Sequence, residues 1–164
     1  MAAYDVEPWS DLFVATAGAG AALAGLVFVA ISINIDRILK LEGIPDRALE
    51  TVITLLTVVL ISIAGLIPGQ STTALAIELL AIAATYAVGA TVLGRRSLPV
   101  EVAPTRYLVS RLVVTALAMV PLIVGGISIA AESGGGLYWI VAGIAAAICS
   151  AVANAWVLLV EILR

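Results

Sequence analysis

Five stretches of the chain stay apolar for long enough to cross a hydrocarbon core, which takes about 20 residues for roughly 30 Å. They cover residues 12–33, 48–67, 72–94, 107–131 and 137–163. Each is bounded by polar or turn-forming residues. Ser10 and Asp11 supply helix-start chemistry before the first, and Pro45-Asp46 opens the second. Pro68-Gly69 closes the second, and the Ser71-Thr72-Thr73 cluster starts the third. The fourth carries Pro121 near its middle, and Ser133-Gly134-Gly135-Gly136 separates it from the fifth. Alternating segments of about ten residues, as a transmembrane β-barrel needs, are missing from this pattern. The expected fold is all-α: a polytopic transmembrane helical bundle of five spans, forming a single domain over residues 1–164.

Composition supports that reading. Hydrophobic residues make up 63% of the 164 and charged residues 12%, against the roughly 25% charged usual in soluble domains. A chain this short cannot bury so much apolar surface in water, because small domains leave a large share of their surface exposed. The composition excludes a disordered tail, and the single cysteine, Cys149, cannot form an internal disulfide. With no histidine, the chain lacks His-ligated haem, the HExxH zinc site and Ser-His or Cys-His catalytic pairs. No Walker loop, paired-carboxylate site or cysteine cluster appears, so neither enzymatic activity nor a cofactor is expected. A net charge of −3 gives no reason to expect nucleic-acid binding.

The few charges are distributed unevenly. Arg37, Lys40 and Arg47 lie between spans one and two, Arg95, Arg96, Arg106 and Arg111 between or beside spans three and four, and Arg164 at the end. With five spans, all eight basic residues fall on one side of the membrane. The positive-inside rule makes that side cytoplasmic, with the N-terminus outside and the C-terminus inside. Tyr4, Trp9, Tyr138 and Trp139 then mark the outer interface, and Tyr107 and Trp156 the inner one. The first eleven residues carry Asp5, Glu7 and Asp11 and no Lys or Arg, so the first stretch reads as a retained anchor and not a cleaved signal. The short loops place function in the bilayer or at its cytoplasmic face.

Two spans carry stripes of small residues. In span one Gly18, Gly25 and Ser32 recur at sevens, with Ala22 and Val29 between them on the same face. In span five Gly143, Ala147, Ser150, Asn154 and Glu161 form a similar line. Such stripes let helix backbones approach closely, within a chain or between chains. A shift of 61 residues also superposes Val52, Thr54, Leu56, Val59 and Gly65 on Val113, Thr115, Leu117, Val120 and Gly126. A duplicated hairpin produces this pattern, and so does coincidence in low-diversity apolar sequence.

Glu78 is the most informative single residue. It lies about 10 Å into span three at 1.5 Å per residue, in the half of the bilayer that holds no basic residue. Three states satisfy such a carboxylate: protonation, hydrogen bonding to hydroxyls or freed backbone groups, or cation binding. Pro121 frees a carbonyl near Leu117 at a related depth. Glu50 and Arg111 sit inside the cytoplasmic boundary and form either an interhelical network or two independently snorkelling side chains. Thr54 and Thr57 share the face of Glu50; Thr85 and Gly89 share that of Glu78. If the two faces met, acids and hydroxyls would line a path across the membrane. Pro121 with Gly125-Gly126 is a candidate hinge for a transporter variant of that scheme.

The run Gly25-Leu26-Val27-Phe28-Val29-Ala30-Ile31-Ser32-Ile33-Asn34, with Asp36-Arg37-Ile38-Leu39, Arg47-Ala48-Leu49-Glu50-Thr51, Pro68-Gly69-Gln70-Ser71 and Glu78, resembles small uncharacterised multi-pass bacterial membrane proteins, of actinobacterial type especially. The resemblance covers about the first half of the chain. It implies a bacterial inner-membrane location and carries no activity. Two functions follow from the residues themselves: an oligomeric scaffold or accessory subunit of a membrane complex, contacting lipid and either a second copy or another membrane protein, or a small cation or proton channel or transporter built around Glu78.

Overall fold

A computed structural model describes the backbone of residues 3–96 and 105–163, and the side chains of 3–96 and 113–160. A 3-10 turn (Glu7–Trp9) and six α-helices are present among the described residues: α1 (Ser10–Ile33), α2 (Ile35–Ile38), α3 (Ile44–Gly65), α4 (Thr72–Arg96), α5 (Thr105–Ala130) and α6 (Leu137–Leu163). Five of them are long and apolar enough to cross a membrane. The chain is an integral membrane protein with five candidate spans, and the helices cover the expected segments to within a few residues.

Local chemistry sets the ends. Gly43 adopts φ 74° just before α3, a left-handed turn that reverses the chain and leaves Pro45 in the first helical turn. Ser71 caps α4, its Oγ accepting the Ala74 N–H at 3.2 Å. Asn34 interrupts the helical run after α1, and its Nδ2 donates to the Ala30 carbonyl at 2.9 Å. Beyond it the chain makes only the single helical turn α2. Its Ile38 is buried with Ile44, Ala48 and Leu158. The turn from α5 to α6 needs its three glycines: Gly134, Gly135 and Gly136 all have positive φ, and a side chain on Gly136 would strike the Ala3 carbonyl.

Helices α3, α4, α5 and α6 close a ring in which each packs on its two neighbours. Helix α1 lies outside the ring, laid along α3 and barely touching α6. The burial follows: 61% of the residues in the membrane window of α3 are buried, against 11% in that of α1. Phe13, Val58, Ile61, Leu79, Ala83, Leu122, Ile140 and Ile144 belong to one continuous apolar core. Glycines set the closest approaches. Leu122 of α5 reaches over Gly143 of α6, and Ile140 of α6 over Gly125 of α5, where an added Cβ would lie 2.5 Å from a side-chain atom in each case. Gly126 takes Leu80 of α4 in the same way. These two α5 glycines are thus packed contacts with α6 and α4, and α5 runs unbroken through Pro121.

Candidate functional site

Among the buried polar residues, Glu50, Thr51, Thr54 and Thr57 gather on α3 toward the end that carries Arg37, Lys40, Arg47, Arg95 and Arg96, while Ser62 and Ser128 lie toward the opposite end. Glu50, Thr54 and Thr57 lie on one face of α3 and are all buried, as the one-turn spacing predicts. The Thr54 hydroxyl donates to the Glu50 carbonyl at 2.8 Å and lies 3.5 Å from the Tyr86 hydroxyl of α4. The Thr57 hydroxyl donates to the Ile53 carbonyl at 2.8 Å. Glu50 is 5% exposed and within electrostatic reach of Tyr86. Tyr86 was not among the residues picked from the sequence, although a tyrosine well inside an apolar span, whose hydroxyl needs a partner there, is a visible signal. The side chain of Arg111, the expected partner of Glu50, lies outside the described residues.

Glu78 stands apart from this group. It is half-buried, on the border between the buried row Leu75, Leu79 and Tyr86 and the exposed row Ile77, Ala81 and Thr85. Among the described residues it makes no hydrogen bond or ion pair. Thr85 is exposed and its hydroxyl donates to the Ala81 carbonyl of its own helix at 2.8 Å. Gly89 has no neighbour within 4 Å of a built Cβ. The structure brings Glu50, Thr54 and Thr57 together with Tyr86, and leaves Glu78 and Thr85 on the flank of α4. Apolar side chains, among them Val58, Ile61, Leu79 and Ala83, fill the core between the two carboxylates.

The two small-residue stripes also separate. On α6, Gly143, Ala147 and Ser150 are buried inside the ring, and Asn154 is half-buried without a hydrogen bond among the described residues. The side chain of Glu161 lies outside the described residues. On α1, Phe13, Gly20 and Ile31 mark the face turned to α3. Phe13 fills the space over Gly65, Gly20 sits against Val59, and the Thr16 and Ser62 hydroxyls are 2.8 Å apart. At 100° per residue, Gly18, Ala22, Gly25, Val29 and Ser32 fall on the opposite side. All five are exposed, and nothing lies within 4 Å of a Cβ built on Gly18 or Gly25.

At the other end of the bundle the N-terminal residues form a strap. The Leu137 N–H donates to the Ala3 carbonyl at 2.9 Å, and the Gly135 N–H to the Tyr4 hydroxyl at 3.1 Å. Ser128 Oγ accepts the Gly136 N–H at 2.8 Å and donates to the Ser133 carbonyl. Trp9 meets Tyr138 edge to face, centroids 4.8 Å apart, and Trp139 Nε1 donates to the Gly134 carbonyl at 2.8 Å. All four aromatics expected at the outer interface, Tyr4, Trp9, Tyr138 and Trp139, therefore meet around the turn between α5 and α6. Beneath the strap, a cavity of about 560 Å³ opens between residues 4–10 and the turn from α3 to α4. Among the described residues, no cluster of three potential metal ligands is present.

Comparison with protein-family models, with curated proteins and with solved structures finds no match. What remains of the resemblance is its coarse content, a small multi-pass helical membrane protein. The family and the taxon receive no support from these comparisons.

Proposed function

We propose that the protein is a non-enzymatic membrane component that works by helix association, as an oligomeric scaffold or an accessory subunit of a membrane complex. The observation that carries this reading is the outward face of α1. A run of small residues at heptad spacing is left bare along a helix that packs on the rest of the chain through its other side. In a bilayer, lipid tails are as apolar as side chains, so close backbone approach is a main source of helix attraction. In this reading α1 is the lateral contact and the ring of four helices is its support. The location that goes with it is a bacterial cytoplasmic membrane. The end bearing Arg37, Lys40, Arg47, Arg95 and Arg96 faces the cytoplasm, and the strap faces outward.

Cysteine cross-linking in native membranes tests the proposal. Cys149 is exposed, so the background is Cys149→Ser. Gly18→Cys, Ala22→Cys and Gly25→Cys are each expected to give a covalent dimer, or an adduct with a partner subunit, on mild oxidation. Val152→Cys on the exposed side of α6 is the control. Absence of any adduct at the three α1 positions, together with a monomeric mass in mild detergent, sinks the reading.

A conductor is the second reading, supported by the buried row Glu50, Thr54 and Thr57 beside Tyr86. Its test is ion flux in proteoliposomes with Glu78→Gln and Glu50→Gln. A parent protein that carries flux, reduced by either substitution, favours it over the scaffold.

A further inference from the structure

Helix α1 is tied to the bundle at both ends and stands away from α6 between them. At one end the strap residues Ala3 and Tyr4 bind the turn before α6. At the other, Ile38 of α2 is buried against Leu158 of α6. Between the ties lies an apolar cleft of about 340 Å³, with Leu23, Val27, Leu55, Ala155, Trp156 and Leu159 among its lining residues. A smaller recess shares Val27, Ala30, Ala155 and Leu159 with it and runs on to Asn34 and Ile38. Ile38 bounds the recess at the basic end, and the cleft opens sideways past Leu26 and Trp156, which are 68% and 65% exposed.

We infer that this cleft holds one acyl chain of a phospholipid from the leaflet at the basic end. Four features select that occupant. The opening faces the bilayer and the lining is apolar, so a hydrocarbon fits and water does not, lacking the polar partners it needs. From Asn34 to Leu23 the cleft extends about 16 Å at 1.5 Å per residue. That is about half the roughly 30 Å hydrocarbon core, the reach of one chain in one leaflet, whereas a helix would run the full thickness. Four leucines, two valines and Trp156 outnumber three alanines in the lining, and such large side chains hold a helix backbone at a distance; the heptad stripe of small residues lies on the opposite side of α1. The charges fit a phospholipid as well. Arg37 and Lys40, both exposed, flank Ile38 at the basic end of the recess, where a phosphate would sit, and Asp36 and Glu42, also exposed, are close enough in sequence to suit the ammonium of a zwitterionic headgroup.

Trp156 reports on the cleft directly. In detergent micelles, with Trp9→Phe and Trp139→Phe removing the other indoles, the protein is titrated with a phosphatidylethanolamine brominated midway along its chains. Saturable quenching at one lipid per chain is expected. Ala155→Phe, which fills the cleft, should weaken that binding at least tenfold; Val27→Phe from the opposite wall serves if the first variant does not fold. A brominated diacylglycerol, which lacks the phosphate, should bind at least fivefold more weakly, as should the phospholipid to Arg37→Gln/Lys40→Gln. Quenching that rises linearly with bromolipid and ignores the filling substitutions overturns the site, since it marks ordinary annular contact. Trp156 shielded from bromine, with a dimeric mass in native mass spectrometry, gives the cleft to a second chain and overturns it too. Equal binding of the diacylglycerol removes the headgroup from the recognition.

Discussion

Helices α1 and α6 carry small-residue stripes of similar spacing, and the structure uses them in opposite ways. On α6, Gly143, Ala147 and Ser150 face into the ring, and Leu122 of α5 occupies the space that a Gly143 side chain would need. On α1, Gly18, Ala22 and Gly25 face outward with nothing against the two glycines. The same composition therefore serves folding in one helix and is left bare in the other. A small-residue stripe states that a backbone can come close; it does not state which backbone. Helix α6 has two ring neighbours, α3 and α5. Helix α1 has one, and meets it through Phe13, Thr16 and Gly20 on its other face.

Substitutions along the two stripes give the sharpest tests of that difference. Gly143→Leu drives a branched side chain into Leu122 and should cost about 3 kcal/mol or more, read as a lower midpoint in denaturant titration of the detergent-solubilised monomer. Gly125→Ala adds one methyl against Ile140 and should cost about 2 kcal/mol in the same assay. Thr16→Val removes the hydroxyl contact with Ser62 between α1 and α3. Interhelical polar contacts in bilayers average about 0.6 kcal/mol, and a loss of that order is expected. Gly25→Leu on α1 should leave the monomer within about 0.5 kcal/mol of the parent while reducing α1 cross-linking at least tenfold. A Gly25→Leu variant as unstable as Gly143→Leu would mean that α1 packs inward by its small face, and the contrast between the two helices would fall.

Much of the architecture was legible in the sequence. Hydropathy and turn residues place the five spans, because backbone groups in hydrocarbon must be satisfied within a helix and the chain's charged and turn-forming residues concentrate between spans. The i, i+4, i+7 spacing of Glu50, Thr54 and Thr57 places them on one face, and that face is buried. The meeting of that face with Glu78 and Thr85 was not legible, and the described residues do not bring them together. Spacing fixes an angle around a helix axis, but not which neighbour stands at that angle. Thr85 shows the consequence: its hydroxyl is satisfied by the Ala81 carbonyl one turn back, so it can face lipid without a partner. Pro121 and Gly125-Gly126 suggested a hinge, since proline and glycine loosen a helix by local rules. Packing gives the two glycines another use, as seats for Ile140 and Leu80.

The sequence by itself determined the solvent, the number of long helices and the gathering of basic residues between particular spans. These depend on transfer free energies and hydrogen-bond satisfaction, which each segment settles alone. Only the tertiary structure decided that α3 is the most buried helix, that α1 stands outside the ring, and that a strap and an isoleucine hold it there over an open cleft. Those outcomes depend on which side chains interlock across helices. In a bilayer that choice is made by fit, since hydrophobicity no longer distinguishes a neighbouring helix from lipid.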